Sequence, residues 1–341
     1  MRTLIKWAGG KTSELQIIKK HIPKKFDRVI EPFVGGGAVF LALESNQSIL
    51  NDFNRELIRF YEIIKSSEFE QFKSILTQLH NERLKALNLE VNDTFLDVAS
   101  KINQHHSFKK YLNREFKSKL ARIDKLNLAR ASVNDSPLSY DEVAVQYRTS
   151  VTGALYYVWR EIYNEAHHAN ALDVNHIAHW YAVKQFAFSG MTRYSESGNF
   201  NVPYAGISYD SRSLIHNLDA MESAHNSQFF QNTHFNTSDF EEFFKHFDYF
   251  AENDFVFIDP PYDDGFSKYN SDRDFTREDQ IRLRDTLLKY KANVMVLVKE
   301  TDIIFSLYSE RFNVVRFDKN YSVNLKNRNQ QGVQHLIITN Y

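Results

Sequence analysis

The chain has 341 residues, 43% hydrophobic and 25% charged, with a formal net charge of -1, an ordinary globular composition that excludes collagen-like, low-complexity and disordered readings. It contains no cysteine, so disulfide scaffolds and thiolate zinc sites are excluded too. The longest aliphatic run, about residues 294–298, is far short of the roughly 20 residues of a membrane helix; no apolar leader opens the chain, and a cytoplasmic protein with no membrane partner is expected.

In chain order, residues 28–31 read as a short strand leading into Pro32-Phe33-Val34-Gly35-Gly36-Gly37, and residues 38–43 have helical composition. A second strand at 48–52 is followed by Asn54 as an N-cap and by Leu57, Ile58, Tyr61 and Ile64 at helical spacing. Residues 67 to about 185 differ. They are helical, polar and poor in strand-like runs, and 101–130 carry nine Lys or Arg against two acids. A buried strand at 255–258, a helix at 276–288 opened by Thr276 with Asp279 as an acidic capping box, and strands at 293–298, 314–317 and 335–339 complete the chain. The alternation predicts an α/β fold with a largely parallel sheet, interrupted by an inserted helical region. Residues 1–66 and 228–341 are expected to form one domain and 67–227 the other.

The basic residues are clustered: residues 1–28 hold eight Lys or Arg against two acids, whereas 250–279 hold nine acids against three bases. A basic face that meets phosphates is one consequence, with solvated helix faces as the plainer alternative.

Three segments carry chemistry. The Gly35–Gly37 turn lies between Glu31 at one strand end and Asp52 at the next; it does not fit G-x-G-x-x-G, because Phe40 stands where the last glycine belongs. That pattern suits a nucleoside better than a dinucleotide, with the acid on ribose hydroxyls. Lys6-Trp7-Ala8-Gly9-Gly10-Lys11-Thr12 looks like a phosphate-binding loop but has Ile5 where that loop needs glycine, which leaves a tight turn flanked by an aromatic face and an ammonium. Asp259-Pro260-Pro261-Tyr262 directly follows a buried strand. Its prolines hold the chain extended and remove two donors, so a carboxylate and a carbonyl stand at the strand's carboxyl end, where open α/β sheets bind ligands. An exocyclic amine could donate to both, and Tyr262 offers a ring for a flat base.

In this order the segments resemble the Dam-like, or alpha-group, N6-adenine DNA methyltransferases. Ser189-Gly190-Met191-Thr192-Arg193-Tyr194 followed by Gly198-Asn199-Phe200-Asn201-Val202-Pro203-Tyr204 is similar to that family's DNA-contacting hairpin, and Thr237-Ser238-Asp239-Phe240 to its adenine-binding turn. The resemblance covers residues 1–66 and 185–341. It implies a Rossmann-like S-adenosylmethionine-dependent methyltransferase sheet with an inserted helical and β-hairpin target-recognition domain. By the same resemblance, the methyl group is expected to pass to the N6 amine of a flipped-out adenine in a short specific site of double-stranded DNA. The resemblance further implies that Trp7 and Lys11 bind the amino-acid end of S-adenosylmethionine and Asp52 its ribose, with Ala8, Gly9, Gly10, Glu31, Pro32, Phe33, Gly35, Gly37 and Asp259 also at the cofactor. Asp239 and Phe240 would bind its adenine, and Asp259, Pro260, Pro261 and Tyr262 the target base. Lys6, Ser189, Met191, Arg193, Asn201, Pro203 and Tyr204 are implied at the DNA, with GATC one candidate site.

A restriction endonuclease acting on the same site is a conceivable partner, and a monomer is expected. The paired histidines His105-His106 and His167-His168 lack attendant acids, and no metal is expected. Methyl transfer to RNA adenine and a non-catalytic DNA-binding module remain alternatives. Methyl transfer to a glutamine amide is disfavoured, because related enzymes carry Asn in place of Asp259.

Overall fold

The computed structural model describes residues 1–90, 95–246, 251–261, 275–319 and 333–341. The chain divides into two compact units, Met1–Ser66 with Ala220–Tyr341, and Ser67–Asp219. In the first unit α1 (Leu15–His21), β1 (Val29–Glu31), α2 (Ala38–Leu43), β2 (Ser48–Asn51) and α3 (Arg55–Lys65) come first. The second unit holds α4 (Phe69–Leu87), α5 (Phe95–Ser100), α6 (Phe108–Ala131), α7 (Tyr140–His168) and α8 (Val174–Phe186). The chain continues through α9 (Leu218–His225), α10 (Gln228–Gln231), β3 (Thr233–Asn236), α11 (Phe240–His246), β4 (Phe255–Ile258), α12 (Arg277–Leu287), β5 (Asn293–Lys299), α13 (Asp302–Tyr308), β6 (Asn313–Lys319) and β7 (Val333–Thr339). The second junction falls at 219/220 and not at 227/228. The reason is local: Met221 and Ala224 are buried, and His225 Nδ1 lies 2.8 Å from the Ile64 carbonyl, so α9 packs with the first unit.

Among the described residues the strands form one sheet in the order β3-β2-β1-β4-β5-β7-β6. All pairings are parallel except those of β7, which runs antiparallel to β5 and β6. Because side chains alternate along a strand, Val256, Ile258, Val294, Val296, Leu336 and Ile338 face α11, α12 and α13. Phe255, Phe257, Met295, Leu297 and Ile337 face Ile18 of α1 and Val39 of α2. Both faces are covered, which is why these strands read as continuous apolar runs. β3 escapes the sequence reading because only Thr233 of its four residues is buried, so it has no apolar run to announce it. The capping signals hold: Asn54 accepts from the Leu57 amide, and Thr276 and Asp279 form a reciprocal capping box. No helix among the described residues is long and apolar enough to cross a membrane.

Strand order reverses between β1 and β4, which makes their carboxyl ends the topological switch point where a crevice opens. Glu31 ends β1, Asp52 follows β2 and Asp259 follows β4.

Candidate active site

At that switch point lies an open cleft of about 1050 Å³, the solvent at its mouth included, lined by Trp7, Lys11, Phe33, Asp52, Asp239 and Asp259 among others. Segments hundreds of residues apart meet here. The amino-terminal glycine turn is closed by the Gly10 amide donating to the Trp7 carbonyl at 3.2 Å. Trp7 then lies against the second glycine turn, so closely that a Cβ on Gly35 would sit 3.0 Å from its indole. Gly35 and Gly37 have φ of +48° and +65°, a region that costs other residues. Part of the glycine requirement therefore comes from packing against Trp7 and, at Gly37, against the Tyr61 hydroxyl, not only from a ligand.

Lys11 is buried, its side chain 4% exposed, and its Nζ lies 2.6 Å from Asp259 Oδ1 and 2.7 Å from the Gly9 carbonyl. The ammonium expected at the donor's amino-acid end is thus joined to the carboxylate expected at the target base. Asp52 accepts from the Gly35 amide through Oδ2 and the Asn54 amide through Oδ1, both at 2.9 Å. Glu31 is buried; burial, with the Asp259 charge adding to it and the Phe40 amide opposing, pushes its carboxyl well above the usual carboxylate range. Its Oε1 has no hydrogen-bond partner among the described residues. Pro32, Pro260 and Pro261 line the main cleft, while Glu31 and Gly10 line a smaller adjoining recess. Tyr262 lies outside the described residues.

Sequence reasoning missed four contributors. Asn51 donates to the carbonyls of Pro32 and Ser238 at 3.0 Å each and accepts from the Ser238 amide at 3.0 Å, tying two loops of the cleft together. The available signal was a polar residue ending an apolar strand. Phe53 and Phe275 line the cleft, and Phe275 forms an aromatic cluster with Phe33 and Phe240 at centroid separations of 5.7 and 5.9 Å. Arg282 of α12 pairs with Asp239 at 3.2 Å, and no local pattern announces it.

The D12 class N6 adenine-specific DNA methyltransferase family matches residues 7–136 and 126–323. The chain belongs to this family. It is an adenine-specific DNA methyltransferase, and membership implies S-adenosylmethionine as the general methyl donor. A type II methyltransferase, M1.LlaDCHI of Lactococcus lactis subsp. cremoris, is 25% identical over all of this chain and 96% of its own length. The type II methyltransferase M.CviBI of Paramecium bursaria Chlorella virus NC1A is 23% identical over the whole of both chains. The DNA adenine methylase of Escherichia coli (strain K12) is 48% identical over 64 residues, 19% of this chain.

In the second unit of this methyltransferase, residues 187–204 form a hairpin held by two isolated antiparallel bridges, Ala187 with Tyr204 and Tyr194 with Phe200, and not by continuous strands. Ser189 adopts φ 54° in a short 3-10 turn, and Phe188, Met191 and the neighbouring Ile207 are exposed. Arg193 is exposed, its Nε donating to Asn201 Oδ1 at 2.7 Å across the arms. The Tyr204 hydroxyl donates to Asp210 at 2.6 Å, so its polar end is used inside the unit. Lys6, in the first unit, is exposed beside Trp7. On α6, Phe108, Leu112 and Ile123 are buried. Lys110, Arg114, Lys117 and Lys125 fall on the opposite face at 100° per residue, a basic stripe about 22 Å long.

Proposed function

We propose that the chain methylates the N6 amine of an adenine flipped out of a short specific duplex site, with S-adenosylmethionine held in the cleft at the ends of β1, β2 and β4. The observation that carries this reading is the 2.6 Å contact of Lys11 with Asp259, which unites the first and last motifs in one site. The donor set supports the cofactor: an acid-rich cleft with Asp52, Asp239 and Asp259 suits a ligand bearing a sulfonium, an ammonium and ribose hydroxyls, and Glu31 Oε1 stands without a partner among the described residues beside the adjoining recess. The cluster of Phe33, Phe240 and Phe275 suits a purine ring. When bound, S-adenosylmethionine supplies an electrophilic methyl group.

The chain's own residues prepare the acceptor. An adenine amine is a poor nucleophile because its lone pair is delocalised into the ring. The Asp259 carboxylate and the Pro260 carbonyl would accept its two hydrogens, favouring a pyramidal nitrogen whose lone pair points out of conjugation. Lys11, bonded to Oδ1, holds that carboxylate in position. The base must leave the stack to reach them, and Tyr262 is the natural stacking partner. Trp7 and the Gly9-Gly10 turn would wall the amino-acid end of the donor, and Asp52 its ribose. The type II names of the relatives support a restriction–modification setting with a nuclease of the same specificity.

Expression in a methylation-free host, followed by sequencing of modified adenines, tests the whole reading. Modified adenine in one short motif is the expected result, and unmodified duplex DNA alongside methylated RNA would replace it with the RNA alternative.

Two further expectations concern the DNA. Arg193 can contact guanine through two parallel hydrogen bonds in the major groove, so Arg193→Ala should relax discrimination at one guanine by roughly 1 to 3 kcal/mol; an unaltered base preference in the methylated-site profile would remove the hairpin from recognition. The α6 stripe should contact phosphates. Neutralising Lys117 and Lys125 together should weaken specific and random duplexes alike and reduce the slope of log affinity against log salt by about 0.9 per lost contact. A loss confined to the specific complex would mean that the stripe reads bases.

A further inference from the structure

Arg282 sits on the first turns of α12, which the Thr276–Asp279 capping box anchors. Its Nη2 lies 3.2 Å from Asp239 Oδ2 and its Nη1 3.4 Å from Oδ1, a fork meeting both oxygens of one carboxylate. The same guanidinium reaches Glu241 at 2.7 Å and Asp279 at 2.8 Å, and its Cζ stands 4.8 Å from the centroid of the Phe240 ring. Burial opposes its charge, but hydrogen bonds to Asp239, Asp279 and Glu241 outweigh that and hold the guanidinium above its ordinary value. One cation therefore gathers three carboxylates that would otherwise repel one another and fixes the ring beside them. Arg282, Asp239 and Phe240 all line the cleft.

We propose that Arg282 is the positioning residue for the purine end of the donor pocket. It sets the Asp239 carboxylate and the Phe240 ring so that the pocket takes a 6-amino purine and rejects a 6-oxo purine. This rests on the reading of Asp239 as the acceptor for the donor's adenine. The physical basis is that an exocyclic amine donates to a carboxylate, whereas a 6-oxo group presents a second acceptor to it and leaves the site's polar group unpaired. The Glu241 amide also donates to Asp239 Oδ1 at 2.9 Å, so that oxygen keeps a hold without the guanidinium, while Oδ2 loses its bond to Nη2 and the carboxylate is left beside two like charges that loosen its direction. Arg282 makes no bond in the reaction; its effect passes through Asp239 and Phe240.

Calorimetry on the full chain without DNA tests this with two probes, S-adenosylhomocysteine and S-inosylhomocysteine, against wild type, Arg282→Leu, Arg282→Lys and Asp239→Asn. Wild type should prefer the adenosyl probe by on the order of a hundredfold. Arg282→Leu should bind it about tenfold more weakly, with the preference falling below about threefold. Arg282→Lys keeps the charge without the fork and should recover part of the preference, which also covers the case in which the Leu variant does not fold. A role confined to tying α11 to α12 would lower the melting temperature and leave the ratio of the two affinities unchanged. If both Arg282 variants keep the wild-type ratio while Asp239→Asn loses it, the inference is overturned and Asp239 keeps its assignment. If Asp239→Asn also keeps the ratio, the assignment of Asp239 falls and the inference falls with it.

Discussion

Asp259→Asn is expected to lower methyl transfer about a hundredfold or more, because it replaces a carboxylate acceptor with an amide that also donates, in a site where lost transition-state contacts cost that much. The alanine variant should lose as much activity and also lose stability. From its position at a strand end, Asp259 reads as dispensable for folding. The structure revises that expectation: Lys11 is buried, and its Nζ lies 2.6 Å from Asp259 Oδ1. Removing the carboxylate outright would leave an ammonium buried without it, a change that typically costs about 3 kcal/mol or more. The asparagine variant keeps an oxygen within reach of Lys11 and is the cleaner probe of chemistry. Single-turnover methylation together with thermal melting of both variants separates the two effects. Turnover above a tenth of wild type in the alanine variant, which keeps no acceptor, would refute the assignment of Asp259 to the target amine.

The second large effect is in the helical unit. Asp210 accepts from Thr149 Oγ1 at 2.8 Å, Thr152 Oγ1 at 3.2 Å and the Tyr204 hydroxyl at 2.6 Å. Arg83 stands 3.5 Å from the same carboxylate, its side chain 2% exposed and that of Asp210 16%. The guanidinium also donates to the carbonyls of Tyr209, Asp210 and Arg212 and lies 4.3 Å over the Phe186 ring. Asp210→Ala removes the only carboxylate in this described set and leaves a buried cation and a buried hydroxyl short of an acceptor. The expected cost is about 3 kcal/mol, or roughly 10 °C in the melting temperature of a unit of this size. Asp210→Asn, which keeps the shape and one acceptor, should cost less. Denaturant unfolding of the variants measures this directly, and a loss below about 1 kcal/mol for Ala would mean that Arg83 is satisfied by the three carbonyls alone.

Much of the site was legible in the sequence because it depends on neighbours a few residues apart. The Gly35–Gly37 turn after β1, the Asn54 and Thr276 caps, and a carboxylate followed by two prolines at the end of a buried strand are set by local sterics and by hydrogen bonds spanning two or three residues. The parallel sheet was legible for a similar reason, since strands covered on both faces must be apolar throughout. Only the tertiary structure decided the rest. β3 joins the sheet through its backbone ladder to β2 although its side chains carry little apolar signal, and β7 inserts antiparallel between β5 and β6. The hairpin's arms meet only at isolated bridges, and the unit's helices hold them: Asn164 of α7 bonds both the amide and the carbonyl of Phe200, and Lys184 of α8 donates to the Thr192 hydroxyl. Lys11 meets Asp259, Arg282 meets Asp239 and Arg83 meets Asp210 across separations that carry no periodicity. A buried or half-buried charge takes whichever opposite charge the packed strands and helices bring within a few ångströms, and that partner is chosen by the fold as a whole.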